Sequence, residues 1–341
     1  MDKKLLAVAV SVATFGTHAV AVELYNNDGT TFAVGGHVSV NLNGSEEGST
    51  DVGSNSPRIN IEGTQDLGNG FTVDAKGEWA INYLNNSENA FTTRLGYIGL
   101  THEDLGRTVV GTQWAPYYDV AGVTDLPIAY ANDFLYPDNF AKVGLSRADK
   151  MVSYRNDFSF GEAGALNFGL AWQGENQETN ILGATTLRYK DRTQASASYS
   201  VAGAMFGYGY NSGKVGLNAN TRSLDFHVFS AKFGSYGNGL YVAGVYQMAD
   251  NKYDDLESDS YELLAAFGFA NSLNLSINYE TVEEKDKISK EKSTEREELA
   301  LQAEYNFTPK FVGYTGYQFD LNSSNNRDTD DRWTIGARYY F

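Results

Sequence analysis

The stretch WTIGARYYF, residues 333–341, places Trp333, Ile335, Ala337, Tyr339 and Phe341 at every second position. Thr334, Gly336, Arg338 and Tyr340 stand between them, with Arg332 just ahead. Successive side chains of a strand point to opposite faces, so this segment has one mostly apolar face and one mostly polar face. The last residues of a globular domain are usually polar and frayed. A strand of this kind, placed at the end of the chain, requires a dry neighbour on one side and a wet one on the other.

The same alternation recurs along the chain. VGGHVSVNL sets Val34, Val38, Val40 and Leu42 against His37, Ser39 and Asn41. FTVDAKGEWAI sets Phe71, Val73, Ala75, Trp79 and Ile81 against Thr72, Asp74, Lys76 and Glu78. LNLSINYE and ELALQAEYNF behave alike, with Leu301 and Gln302 as adjacent members of opposite faces. TQASASYSVAGAMFGYGYNSG, residues 193–213, carries no charge but alternates, and reads as two strands about a turn at Ala202–Ala204 rather than as a membrane helix.

Short Gly/Asn/Asp connections at 66–70, 103–106, 161–164, 235–239 and 308–310 separate many of these segments. Long hydrophilic connections at 43–55, 174–191, 250–259, 283–296 and 321–331 separate others. Short turns at one end and long loops at the other are the pattern of a transmembrane barrel. The strands number sixteen, at about 31–43, 56–66, 70–83, 91–102, 106–112, 147–157, 163–173, 193–201, 203–211, 223–234, 238–249, 260–270, 272–282, 296–307, 310–321 and 331–341. The expected fold is all-β, a 16-stranded antiparallel transmembrane β-barrel, in which the last strand pairs with the first so that no backbone group is left open to lipid. A secreted sandwich is the alternative, but its strands are shorter and rarely hold the pattern so long.

Residues 1–21 are read as a signal peptide: MDKK, an apolar run LLAVAVSVATFG, then AVA at 19–21. Residues 22–341 then form a single barrel domain. The formal charge is -17, and loss of Asp2, Lys3 and Lys4 makes it one unit more acidic, which argues against nucleic acid. There is no cysteine, hence no disulfide, thiolate metal site or Cys nucleophile. His37, His102 and His227 are scattered, without metal-ligand spacing or a triad neighbour, so neither a metal, another cofactor nor an enzyme is expected. Asp250, Asp254, Asp255, Glu257 and Asp259 superficially match a calcium loop, but the sixth place is Asp255 where Gly is required. The mixed-charge run 283–298 reads as an extracellular loop.

VELYNNDGTTFAVGGHV at 22–38, RLGYIGL at 94–100, DVAGVTDLP at 119–127, SYRND at 153–157 and the terminal aromatic, taken in this order, resemble the general, non-specific trimeric porins of Gram-negative outer membranes, of the enterobacterial and vibrio type. The resemblance implies a homotrimer in the outer membrane, in contact with lipid and lipopolysaccharide, that passes small hydrophilic solutes and ions by passive diffusion. It implies that Phe341 is read by the assembly machinery. It also implies that the third extracellular loop, about 113–146, folds inward and carries carboxylates opposite a basic wall. Arg58 in SPRINIEG, Arg94 in TTRLGYIGL and Arg147 in SRADK match wall arginines, and His37 stands where a Lys is common. Parity independently puts Arg58 with Asn60 and Glu62 on the polar face. On the loop, Asp119, Asp125 and Asp133 are the acidic candidates; Asp125 matches an acidic position, and Ile128 replaces the usual second acid. The acidic balance leads to an expected cation preference. The alternative is a sugar- or oligosaccharide-selective porin, for which Tyr117, Tyr118, Tyr130 and Tyr136 would supply aromatics.

Overall fold

The structure, a computed structural model, describes residues 21–84, 90–131, 133–137, 139–179, 186–217, 220–250, 256–322 and 329–341. The signal-peptide reading therefore falls, but for Ala21, outside the described residues. The strands are β1 (Val22–Asn27), β2 (Thr30–Ser45), β3 (Asp51–Gly53), β4 (Arg58–Gly68), β5 (Phe71–Ile81), β6 (Phe91–His102), β7 (Gly106–Trp114), β8 (Arg147–Ser159), β9 (Ala165–Gln173) and β10 (Asn176–Thr179). They continue as β11 (Thr186–Val201), β12 (Ala204–Leu217), β13 (Asn220–Ser235), β14 (Asn238–Asp250), β15 (Leu256–Gly268), β16 (Leu273–Asp286), β17 (Lys292–Thr308), β18 (Phe311–Asp320) and β19 (Arg332–Tyr340). Two short helices, α1 (Pro116–Ala121) and α2 (Phe140–Val143), lie between β7 and β8.

These segments form one antiparallel ring of sixteen strand positions. Three of the segments only extend a neighbour's line. β3 continues β4 along β2, and β10 continues β9 along β11. β1 pairs with the start of β2, while β19 pairs with the rest of the same edge from Tyr340↔His37 to Arg332↔Ser45. That last pairing closes the cylinder and answers the question posed by the terminal strand. Every strand foreseen from the alternation is present; β1 was not foreseen, because VELYNN does not alternate. Tight turns join the strands at one end. Asn69 and Gly70 at φ 52° and 80°, and Ala202 and Gly203 at φ 49° and 82°, show why those turns use residues tolerant of the left-handed region.

Burial is inverted relative to a water-soluble domain. Val38, Val40 and Leu42 are 39–50% exposed on the outer face, while Ser39 and Asn41 are 1% and 7% exposed inside. In the opening segment Ile335 is 54% exposed and Thr334 5%. A contiguous exposed apolar belt around a closed sheet is the surface expected in lipid. No described helix is long and apolar enough to cross a membrane.

Two expectations need correction. The described residues of the loops read at 174–191, 250–259 and 283–296 are largely strand, because β11, β15, β16 and β17 run on beyond the apolar belt. Past the belt both faces meet water, so alternation is lost while pairing persists, as at Glu283↔Thr294 and Lys285↔Lys292. His227 lies well inside β13 on its outer face, its Nδ1 2.9 Å from the Tyr208 hydroxyl. The inner face is not uniformly polar: on β13 it is Leu224, Phe226 and Val228, all under 5% exposed.

Candidate pore constriction

The described residues of the segment 115–146, between β7 and β8, do not stand above the barrel but lie inside it. α1 places Tyr117 at the centre, fully buried, with its hydroxyl donating to Gln247 Oε1 at 2.8 Å. Val120, Leu135, Val143 and Leu145 pack with Leu224, Phe226, Val228, Val245 and Leu264 of the wall. This half of the lumen is thus a packed core, which explains its apolar inner face. Polar wall groups fasten the loop backbone. Glu304 accepts from the Ile128 N–H at 2.8 Å, Gln302 from those of Ala129 and Tyr130 at 3.1 Å, and Glu280 from that of Asp133 at 3.0 Å. Asn211 and Gln194 donate to the carbonyls of Val143 and Gly144. Each bond satisfies a loop group that water would otherwise have to serve.

The opposite wall, from β2 through β8 with β19, stays polar and carries the arginines. Arg58 on β4 and Arg94 on β6 share one carboxylate, Glu78 on β5, at 3.8 and 2.8 Å. Arg147, at the start of β8, lies over the rings of Phe140 and Trp114 at 5.0 and 5.8 Å, in cation–π contact. His37 belongs to this wall by position, but it is 4% exposed and packs edge-on against Tyr340 at 5.4 Å, so it does not line open water. Arg338 on β19 joins the group: its Nη2 reaches the carbonyl oxygen of Asn55 at 3.3 Å. Arg338 and Glu78 were not singled out from the sequence, although both occupy polar-face positions in the quoted stretches.

The three loop acids have different fates. Asp125 faces the arginine group. It accepts hydrogen bonds from Tyr118 Oη at 2.5 Å and from Tyr136 Oη. Burial pushes its carboxyl above the ordinary range; the two tyrosine hydrogen bonds and the charges of Arg58 and Arg94 pull it part of the way back. Asp119 turns away from the wall group and binds Arg155 on β8 through both oxygens, at 2.5 and 3.2 Å. Asp133 pairs with Arg296 on β17 at 3.3 Å, on the other side of the loop. Geometry therefore brings Asp125, Arg58, Arg94, Arg147 and Arg338 together and leaves Asp119 and Asp133 outside. Among the described residues no group of His, Cys, Asp and Glu is arranged to hold a metal ion.

A closed barrel with an inward loop and opposed charges is a channel architecture. The sequence model of the family described as Gram-negative porin matches residues 27–341. This chain belongs to the Gram-negative porin family. Outer membrane protein Omp-EA of Erwinia amylovora is 26% identical over the full length of both chains. Among solved structures, Salmonella typhi OmpF in complex with daunomycin covers 94% of this chain and 100% of its own at 20% identity, with a TM-score of 0.78. An anion-selective porin from Comamonas acidovorans covers 92% of this chain and 100% of its own at 15% identity, with a TM-score of 0.72. As a porin of this family the protein resides in the Gram-negative outer membrane, and porins are channels rather than enzymes.

Proposed function

We propose that this porin is a non-specific diffusion channel for small hydrophilic solutes and ions, with a modest cation preference and a constriction between Asp125 and the arginine wall. The carrying observation is the placement of Arg58 and Arg94 across from Asp125, close enough for their charges to act on its carboxyl. Opposed charges across a narrow aqueous gap make a transverse field. Water and polar solutes align in it, whereas an apolar solute must displace ordered water. Sorting by size and polarity follows without a binding site.

The sign of ion preference is set by competing terms. The chain carries -17 overall, which favours cations at both mouths, while the arginine group favours anions at the narrowest point. Screening at physiological salt acts over about 8 Å, so the arginines act only at the narrow point and limit the preference without reversing it. The fold itself does not fix the sign, since the similar Comamonas protein is described as anion-selective. The sugar-selective reading is weaker here. Tyr117 and Tyr118 are buried within the loop, and Trp114 stacks on Tyr118 at 4.4 Å, so these rings are held in packing and are not laid along the pore.

We further propose removal of residues 1–21 as a signal peptide, assembly guided by Phe341, and a homotrimer seated among lipid and lipopolysaccharide. Small outward residues support close subunit packing: Gly63 faces Ala75 and Gly77 faces Ile61 across β4 and β5. Planar-bilayer recording under a salt gradient tests the reading. Conductance steps in threes and a reversal potential of cation sign are expected. Silent bilayers from folded protein, or a strong anion potential, would overturn it.

A further inference from the structure

Between β3 and β4, the three residues Val38–Val40 of β2 face four, Ser54–Pro57. The extra residue is a β-bulge, and Ser56 adopts φ 49° within it. Gly53 lies opposite the inward Asn41, and Arg58 lies opposite the inward His37. These two inward places are an odd number of residues apart, which a regular strand forbids. The bulge is therefore what turns Arg58 from the lipid side to the lumen.

The bulge also touches both sides of the constriction. Asn55 Nδ2 donates to the Ile128 carbonyl at the loop. The carbonyl oxygen and Oδ1 of Asn55 accept from Arg338 Nη2 at 3.3 and 3.4 Å. The carbonyl of Ser56 accepts from Arg58 Nε at 3.1 Å, and Ser56 Oγ lies 3.0 Å from Arg58 Nη2 and 3.3 Å from Arg94 Nη1. Ser39 fixes the bulge from below, 2.8 Å from both the N–H and the carbonyl of Asn55. Three guanidinium groups repel one another, so neutral acceptors at fixed points are needed to keep them fanned. A non-glycine residue at positive φ persists only where its surroundings over-determine it, as they do here.

We infer that the Ser54–Pro57 bulge is the strut that sets the width of the constriction and the order of its arginines, with Asn55 and Ser56 as positioning residues. This rests on the channel reading above. The roles divide: the Asn55 amide tethers the loop, and Ser56 arranges Arg58 and Arg94.

Planar-bilayer recording on the whole protein and three variants separates these roles. Asn55→Ala loses the tether, and its open-channel current noise and single-channel conductance rise above wild type. Asn55→Asp keeps an acceptor for Arg338 but has no donor for Ile128. Its noise also rises, while its reversal potential shifts toward cations. It fills the same volume as Asn55, so it carries the test if the alanine variant does not fold. Ser56→Gly keeps the positive φ and the tether but removes Oγ; its noise stays at the wild-type level while its reversal potential shifts. A general loss of stability would move all three together. Wild-type noise and conductance in both Asn55 variants, or identical changes in all three, would overturn the strut. A silent wild type would instead sink the channel reading.

Discussion

Asp125 is the residue on which the electrostatics of the narrow point turn. Its carboxyl is raised by burial, so the charged form is disfavoured relative to a free aspartate, whose pKa is about 3.9. The sign follows from this. Ionising Asp125 costs stability in full above its raised pKa, and that cost declines as pH drops from the raised value toward the free one, so mild acidification tightens the loop. The same protonation removes negative charge facing Arg58 and Arg94. Cation preference should therefore fall on acidification, beginning at a higher pH than exposed carboxylates would give. Asp125→Asn should shift the neutral-pH reversal potential toward anions and weaken its response to acid; a pH series of reversal potentials reads both. An unchanged series would remove Asp125 from the constriction. Arg58 and Asp125 were legible from the sequence, one by parity and the other by resemblance. The diversion of Asp119 to Arg155 was not, because the partner lies 36 residues away on a strand whose register no local pattern discloses.

At the scale of the element, alternation is the signal and bulges are where it breaks. Arg94 illustrates this. Gly96, Ile98 and Leu100 face outward, and even spacing would send Arg94 with them. A register shift at Glu78/Trp79 opposite Thr93–Leu95 leaves Arg94 as the extra residue, and it turns inward to Glu78. Asp149 and Lys150 make a similar shift just after Arg147, with Lys150 at φ 53°. Bulges thus re-aim arginines on two strands, β4 and β6, whereas the one on β8 sets Ala148 opposite the inward Gln113, and none of the three has a composition that marks it in advance. The apolar inner face of β13 is a second failure of alternation, legible only once the loop is known to cover it. Where alternation holds, it makes a sharp claim. Ile277, 43% exposed on β16, should meet lipid. Ile277→Arg should cost about 2–4 kcal/mol, measured by reversible unfolding in bilayers, if it sits near the midplane. A cost near zero would mean that this face is wet.

At the scale of the molecule, two media act on one continuous sheet. Lipid takes the outer side chains, and the inner ones are divided between a loop packed on half the wall and water along the other half. Fold and strand count could be read from the sequence because both media impose a period of two over whole strands. The constriction could be read only in part, because its partners meet across the lumen. The chain contains no cysteine, so single-cysteine variants report one site each. The most direct test pairs two adjacent residues of β4, Asn60→Cys and Ile61→Cys, in channels recorded while a charged, water-soluble thiol reagent is added. Asn60→Cys should react quickly and reduce the conductance, and Ile61→Cys should stay silent. Equal reaction at both positions, or block through Ile61→Cys alone, would contradict the two-sided barrel on which everything else depends.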